Sequence, residues 1–168
     1  VSVKEELARV LPVIKALSQE VIISIDTRKP EVAYEAIKAG AHLVNDIGGL
    51  RDAEMLEVCA DAAVPVVIMH MQGQPQTMQK NPVYKDVSKE VFGFLQEQAE
   101  KALTAGIPSV MLDPGIGFGK SLEHNLILMR HLEDLVALGY PVLVGASRKS
   151  MIVKLVTVPE ASSRDSGS

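Results

Sequence analysis

Val64-Pro-Val-Val-Ile-Met-His-Met-Gln-Gly-Gln-Pro-Gln-Thr-Met-Gln79 is an apolar run that breaks, without a spacer, into a polar loop punctuated by glycine and proline. Its first half is short, mostly apolar and β-branched, the pattern of a strand covered on both faces. Strand tips that open into irregular loops are where α/β proteins keep their chemistry. The same layout recurs on either side of this stretch, each time with a different polar residue at the tip, and that repetition defines an architecture.

Working outward, Val3, Leu7, Val10, Leu11, Ile14 and Leu17 recur at three- and four-residue steps and predict an amphipathic helix over residues 3 to 19. Val21-Ile-Ile-Ser-Ile25 then predicts a buried strand ending at Asp26-Thr-Arg-Lys-Pro30, with Pro30 in the first turn of a helix that runs to Gly40. Ala41-His-Leu-Val-Asn-Asp-Ile47 is a second strand, followed by Gly48-Gly49 and a helix over about 51 to 63. Pro65 to Met71 is the third. A longer helix, about 85 to 105, stops at Gly106, and Pro108-Ser-Val-Met-Leu-Asp-Pro-Gly115 forms a fourth strand and tip. Leu122, Leu126, Met129, Leu132 and Val136 mark one further helix, Gly139 ends it, and Pro141-Val-Leu-Val-Gly-Ala-Ser147 is a fifth strand. The stretch from Thr157 to Ser168 is Ser-rich.

Five strands separated by helices, with no hairpin signal between them, imply crossovers and a parallel sheet. Two architectures satisfy this: a doubly wound sheet, and part of a (β/α)₈ barrel, whose complete form needs about 250 residues. Both place function at the carboxyl ends of the strands.

With 168 residues, 47% hydrophobic and 23% charged, the chain fits one domain with a sizeable core. A net charge of -4 and the lack of any long Lys/Arg run argue against nucleic-acid or anionic membrane partners. Cys59 is the only cysteine, which rules out an intrachain disulfide and makes a reducing cytoplasm the expected location. No apolar run reaches the ~18 residues that span a bilayer. Val1-Ser-Val-Lys-Glu-Glu6 lacks the order of a signal peptide.

The tips Asp26-Thr27-Arg28, Asn45-Asp46, Met69-His70-Met71, Asp113-Pro114-Gly115 and Ser147-Arg148-Lys149 are expected to face one crevice. A carboxylate accepts two parallel N–H donors at once, so acids and an amide at strand ends suit a flat heterocycle with a guanidine-like edge. Ser147, Arg148 and Lys149 place cations where an anionic group would lie. Each tip also has a plainer reading. Asp26 and Asp113 precede helices and can serve as caps or turn residues. Asn45 and Asp46 are adjacent, so at most one points into the crevice. His70 reads as an oriented structural histidine and Cys59 as helix packing. Gly115-Ile-Gly-Phe-Gly-Lys-Ser121 looks like a phosphate loop, but the pattern needs glycine where Pro114 stands.

Ser24-Ile-Asp-Thr27 with Lys29-Pro30, Val44-Asn-Asp46, Met69-His-Met-Gln-Gly73 with Gln79, Leu112-Asp-Pro-Gly-Ile-Gly-Phe-Gly-Lys120 and Ser147-Arg-Lys-Ser-Met-Ile152 follow one another in a way that resembles the dihydropteroate synthase family. The likeness runs from about residue 21 to 152, and the Met-His-Met-Gln-Gly and Ser-Arg-Lys-Ser loops distinguish that family among pterin-binding barrels.

The resemblance implies part of a (β/α)₈ barrel, with about five central βα units, in which residues 1–168 form a single pterin-binding domain without the family's first two strands and last strand. Ser166-Gly-Ser168 falls where the helix before that last strand begins. The implied reaction condenses p-aminobenzoate with 6-hydroxymethyl-7,8-dihydropterin diphosphate, giving 7,8-dihydropteroate and pyrophosphate. By matching motif, Asp26, Asn45 and Asp113 hold the pterin ring nitrogens and amino group, and Lys149 bonds its carbonyl side. Gly117 and Phe118 line the aminobenzoate side with Ser147 and Arg148, and Met69 packs near the pterin. Asp26, Asp113 and Lys149 are the residues assigned to the chemistry. The family also implies Mg²⁺, bound through a loop outside this chain, and a homodimer built through late barrel helices. Two alternatives stay open: a pterin-dependent methyltransferase with a corrinoid partner, and a non-catalytic doubly wound binding module. Strand order separates the last from a barrel.

Overall fold

The computed structural model describes residues 1–152, so the Ser-rich stretch from Thr157 and the helix start expected at Ser166-Gly-Ser168 lie outside the described residues. The chain opens with α1 (Val3–Leu17), whose first turn is capped by Ser2 Oγ accepting the Glu5 N–H at 3.2 Å. β1 (Ser24–Asp26), α2 (Pro30–Lys38), β2 (Leu43–Asp46), α3 (Ala53–Asp61), β3 (Val66–Met69), α4 (Val87–Thr104) and β4 (Val110–Asp113) then alternate. Pro30 begins α2, where its missing N–H costs no hydrogen bond. Asp52 and Asp86 cap α3 and α4, and a Ser121/His124 capping box opens α5 (Leu122–Arg130).

Among the described residues the four strands form one parallel sheet in the order β1-β2-β3-β4. A doubly wound sheet would reverse direction at a switch point, and none exists among the described residues, so that alternative is corrected in favour of a barrel arc. The register pairs Asp26 with Asn45, Asn45 with Val67, and Met69 with Asp113. Because side chains alternate along a strand, Asp26, Asn45, Met69 and Asp113 share the inner, concave face. Ile25, Val44, Ile68 and Leu112 point the other way into a core closed by Ala33, Met55, Leu95 and Leu128. Ile68 has 0% exposure, and Ile68→Ala is expected to cost about 2–5 kcal/mol by emptying a site without slack. A lower urea midpoint with an unchanged slope checks this.

Two expectations change at the carboxyl end. The helix read as one element is divided at His131, whose φ of -103° and ψ of 19° interrupt α5 before a short α6 (Leu132–Val136). His131 Nδ1 lies 2.9 Å from Asp134 Oδ2 at the start of that last turn. The fifth strand is reduced to a parallel bridge between Leu112 and Val142, with Leu112 N–H donating to Pro141 O and Leu143 N–H to Leu112 O. It continues the sheet order beyond β4, but Gly145 and Ala146 offer little side chain to hold a longer ladder.

Candidate active site

The inner-face row begins at Asp26. Although this residue is exposed, enough protein surrounds its carboxyl that desolvation raises its pKa, reinforced by Glu6 and opposed by Lys149. The loop after it is fixed by Thr27, 3% exposed, whose hydroxyl donates to Glu6 Oε1 at 2.6 Å and accepts from the Lys29 N–H. Lys29 Nζ pairs with the other Glu6 oxygen. Glu6 stands on α1, far from any strand tip in sequence, and nothing in its helical pattern marked it for this task.

Asn45 and Asp46 divide their work as strand alternation requires. Asp46 faces the helices, where its carboxylate accepts the Gly48 N–H at 2.7 Å and the Leu50 N–H at 2.8 Å. Asn45 faces the concave side, and its Oδ1 is buried without a hydrogen-bond partner. An unsatisfied buried acceptor costs roughly 1–3 kcal/mol, so Asn45 Oδ1 is open to a donor from a ligand or a water.

Met69, 3% exposed, and Asp113, 5% exposed, lie side by side in register. Burial raises the Asp113 pKa, opposed by the Gly115 N–H that donates to its Oδ1 at 2.7 Å and by the charges of Lys149 and Lys120. Lys149 completes the group. Its ammonium lies 3.9 Å above the centre of the Phe118 ring, and its pKa is lowered by burial against the pull of Asp113 and Asp26. A Cβ at Gly117 would sit 3.2 Å from Lys149 Cδ, so Gly117 is the floor on which the lysine stem rests. Ser147 and Arg148 occupy the exposed turn before Lys149, and Arg148 holds a left-handed φ of 54°. A non-glycine residue pays about 1–2 kcal/mol for that conformation, which is typical of ligand-binding turns.

His70 lies beneath the row. It is 6% exposed, and burial, then the charges of Lys120 and Arg51, push its pKa down to about 3, so the ring is neutral at pH 7. It packs edge-on to Phe94 with centroids 5.2 Å apart. The structural reading of His70 therefore stands. The resemblance of Gly115 to Ser121 to a phosphate loop is resolved as well. Lys120 is 3% exposed, and its ammonium is turned inward onto the carbonyls of His70, Gly115 and Phe118 rather than toward an anion. The glycines serve close approach: Cβ atoms at Gly115 and Gly119 would collide with the backbone oxygens of His70 and Gln72. Lys120 is a partner that sequence reading missed, because its acceptors are backbone carbonyls with no side-chain signature. Gln79, part of the quoted motifs but given no role there, donates from Nε2 to Gly117 O at 2.6 Å across 38 residues.

A parallel α/β arc whose strand tips carry two carboxylates, an unpartnered amide oxygen and an ammonium over an aromatic ring has the chemistry to receive a small, flat, donor-bearing ligand. The family model for pterin binding enzymes matches residues 1–168. Dihydropteroate synthase of Escherichia coli (strain K12) is 50% identical over 162 residues, covering 94% of this chain and 57% of that protein. The Thermus thermophilus dihydropteroate synthase in complex with 4-aminobenzoate superposes with a TM-score of 0.92 at 55% identity, over 94% of this chain and 62% of that one. The same enzyme in complex with 6HMPPP gives 0.95 at 54% identity, over 98% of this chain and 66% of that one. The chain belongs to the pterin-binding enzyme family, and its fold is part of a (β/α)₈ barrel. It spans 57% of the length of the Escherichia coli relative.

Proposed function

We propose that this chain forms the pterin pocket of a dihydropteroate synthase, which joins p-aminobenzoate to 6-hydroxymethyl-7,8-dihydropterin diphosphate and releases pyrophosphate. The observation that carries this reading is the row of acceptors on the concave face: Asp26, the unpartnered Asn45 Oδ1 and Asp113. Such a row matches the amino and ring N–H donors of a pterin, and its carboxylates are bidentate acceptors. Lys149 supplies the complementary donor for the ring carbonyl, and Met69 the apolar contact. Gly117, Phe118, Ser147 and Arg148 border the aminobenzoate side.

The chemistry asked of these residues is modest in kind. An aromatic amine is neutral at pH 7 and attacks without a strong general base. The harder step is departure of pyrophosphate from the methylene carbon. Asp26 and Asp113 favour positive charge developing on the ring, and Lys149 faces the anionic side. Holding both substrates in line contributes much of the remaining acceleration. Among the described residues no three His, Cys, Asp or Glu side chains gather to hold a metal. The magnesium expected with the diphosphate belongs to a loop outside this chain.

Relatives between 43% and 50% identical carry the dihydropteroate synthase name, and nothing in the site favours the methyltransferase alternative. We further propose that residues 1–168 act as one domain, in a cytoplasmic homodimer. No helix among the described residues is long and apolar enough to cross a membrane. The protein is expected to release one pyrophosphate per dihydropteroate formed. Methyl transfer to a corrinoid without pyrophosphate release would overturn this reading. The 168-residue chain alone is expected to bind pterin more readily than it turns over.

Pterin affinity should also depend on acidity. The ionised carboxylates accept N–H donors, whereas the protonated forms do not accept them bidentately. Asp26 and Asp113 both have pKa values raised above 3.8, so affinity is full above the raised values and falls as pH drops through them. A fluorescence titration series from pH 8 to about 4 checks this, and affinity that stays flat until below the ordinary carboxylate range counts against it.

A further inference from the structure

Lys120 is buried with no carboxylate among its hydrogen-bond partners. Its ammonium instead meets the His70 carbonyl at 3.2 Å, the Gly115 carbonyl at 3.1 Å, the Phe118 carbonyl at 3.0 Å and His70 Nδ1 at 3.1 Å. Burial pushes the pKa of the Lys120 amine down to about 7 against the pull of Asp113, and in its ammonium form it brings three N–H donors to four acceptors, so one donor is shared. The neutral His70 ring presents its Nδ1 lone pair to Lys120, which leaves the ring proton on Nε2. Two of the four acceptors belong to the loop after β3 and two to the loop after β4.

These loops are also joined by the last rung of the sheet, where the His70 N–H donates to the Asp113 carbonyl at 3.0 Å, and by Gln79 Nε2 and Tyr84 Oη, which donate to the Gly117 and Gly119 carbonyls at 2.6 and 2.8 Å. Beyond that rung the backbones press together, since side chains at Gly115 or Gly119 would strike the neighbouring loop. Lys120 fastens the loop after β4 at Gly115 and at Phe118. Gly115 is the residue whose N–H orients the Asp113 carboxylate, and Phe118 is the ring beneath the Lys149 ammonium.

We propose that Lys120 is a positioning residue for the pterin site: its inward-turned ammonium clasps the two strand-tip loops together and so sets the Asp113 carboxylate and the Phe118 ring relative to Met69. This inference rests on the pterin reading above. It gives the Met-His-Met motif a use, because His70 supplies two of the four acceptors. It also explains why a lysine is needed: the acceptors surround one point, which suits a compact ammonium and not the planar fork of arginine.

The test compares the full chain with its Lys120→Met and Lys120→Arg variants by calorimetric titration with 6-hydroxymethyl-7,8-dihydropterin and by urea unfolding. Lys120→Met leaves the carbonyls of His70, Gly115 and Phe118 short of a donor, so some loss of stability accompanies it. A clasp predicts that the pterin dissociation constant of Lys120→Met rises about thirtyfold, beyond any loss that its lowered unfolding midpoint accounts for, and that Lys120→Arg does not restore affinity. Pterin affinity within threefold of the unsubstituted chain overturns the inference, as does affinity that falls only in proportion to lost stability. If Lys120→Met fails to fold, nitrogen NMR of the lysine-labelled unsubstituted chain decides. The Lys120 ammonium signal should be protected from exchange and shift on pterin addition, and a signal unmoved by bound pterin overturns the clasp. Absence of pterin binding by the unsubstituted chain is separately visible and would remove the functional reading itself.

Discussion

Asp113→Asn is expected to weaken pterin binding by about two orders of magnitude while leaving the fold intact. Asparagine preserves an oxygen to accept the Gly115 N–H, so the turn after β4 keeps its 2.7 Å bond. What changes is the face offered to the ligand. A carboxylate presents two acceptors to two parallel N–H donors, whereas the amide presents one acceptor and a donor that opposes the ligand's own. Hydrogen bonds to charged groups contribute about 1.5–3 kcal/mol, and at 5% exposure the upper part of that range applies. The replacement also removes the negative charge that steadies Lys149. Calorimetric titration checks the affinity, and an unfolding midpoint close to that of the unsubstituted chain separates lost recognition from lost structure. A change smaller than fivefold would show that Asp113 serves only as a turn residue.

Gly115→Ala should be the most damaging single methyl group in the site, costing about 2–5 kcal/mol of stability. Two effects add. The residue has a φ of 67°, which an L side chain adopts at a cost of about 1–2 kcal/mol. Its Cβ would then overlap the His70 carbonyl, a backbone atom held by the sheet that cannot rotate away. Relief requires the two loops to part, which also breaks the Lys120 bonds to His70 and Gly115. Chemical unfolding should show the loss directly. By contrast, Gly93 has open space around its Cβ position, and Gly93→Ala in the middle of α4 is expected to leave stability unchanged or slightly raised. Equal effects at the two positions would remove the close-approach explanation of the glycine-rich loop.

Much of this arrangement was legible in the residues because strands buried on both faces write an unbroken apolar signal. Val66 to Met69 and the polar residues that end each strand could be located from that signal alone. The division of labour between Asn45 and Asp46 followed from alternation, though only the structure shows that Asn45 is the one facing inward. Three features had no such signature. The break at His131 contains neither glycine nor proline and depends on a local backbone angle. The fifth strand reads apolar, yet forms only a bridge, because pairing is a property of neighbours and not of its own composition. Lys120 shares its sequence context with phosphate-binding lysines, and only the carbonyls around it show that it faces inward.

The central claim is that the acceptor row of Asp26, Asn45 and Asp113 is a pterin site. Its most direct test is a calorimetric titration of the full chain with 6-hydroxymethyl-7,8-dihydropterin at pH 7, run beside the Asp113→Asn variant. We expect saturable binding at one site per chain, lost or weakened about a hundredfold in the variant. No saturable binding by the unsubstituted chain, or equal affinity in the two proteins, would contradict it.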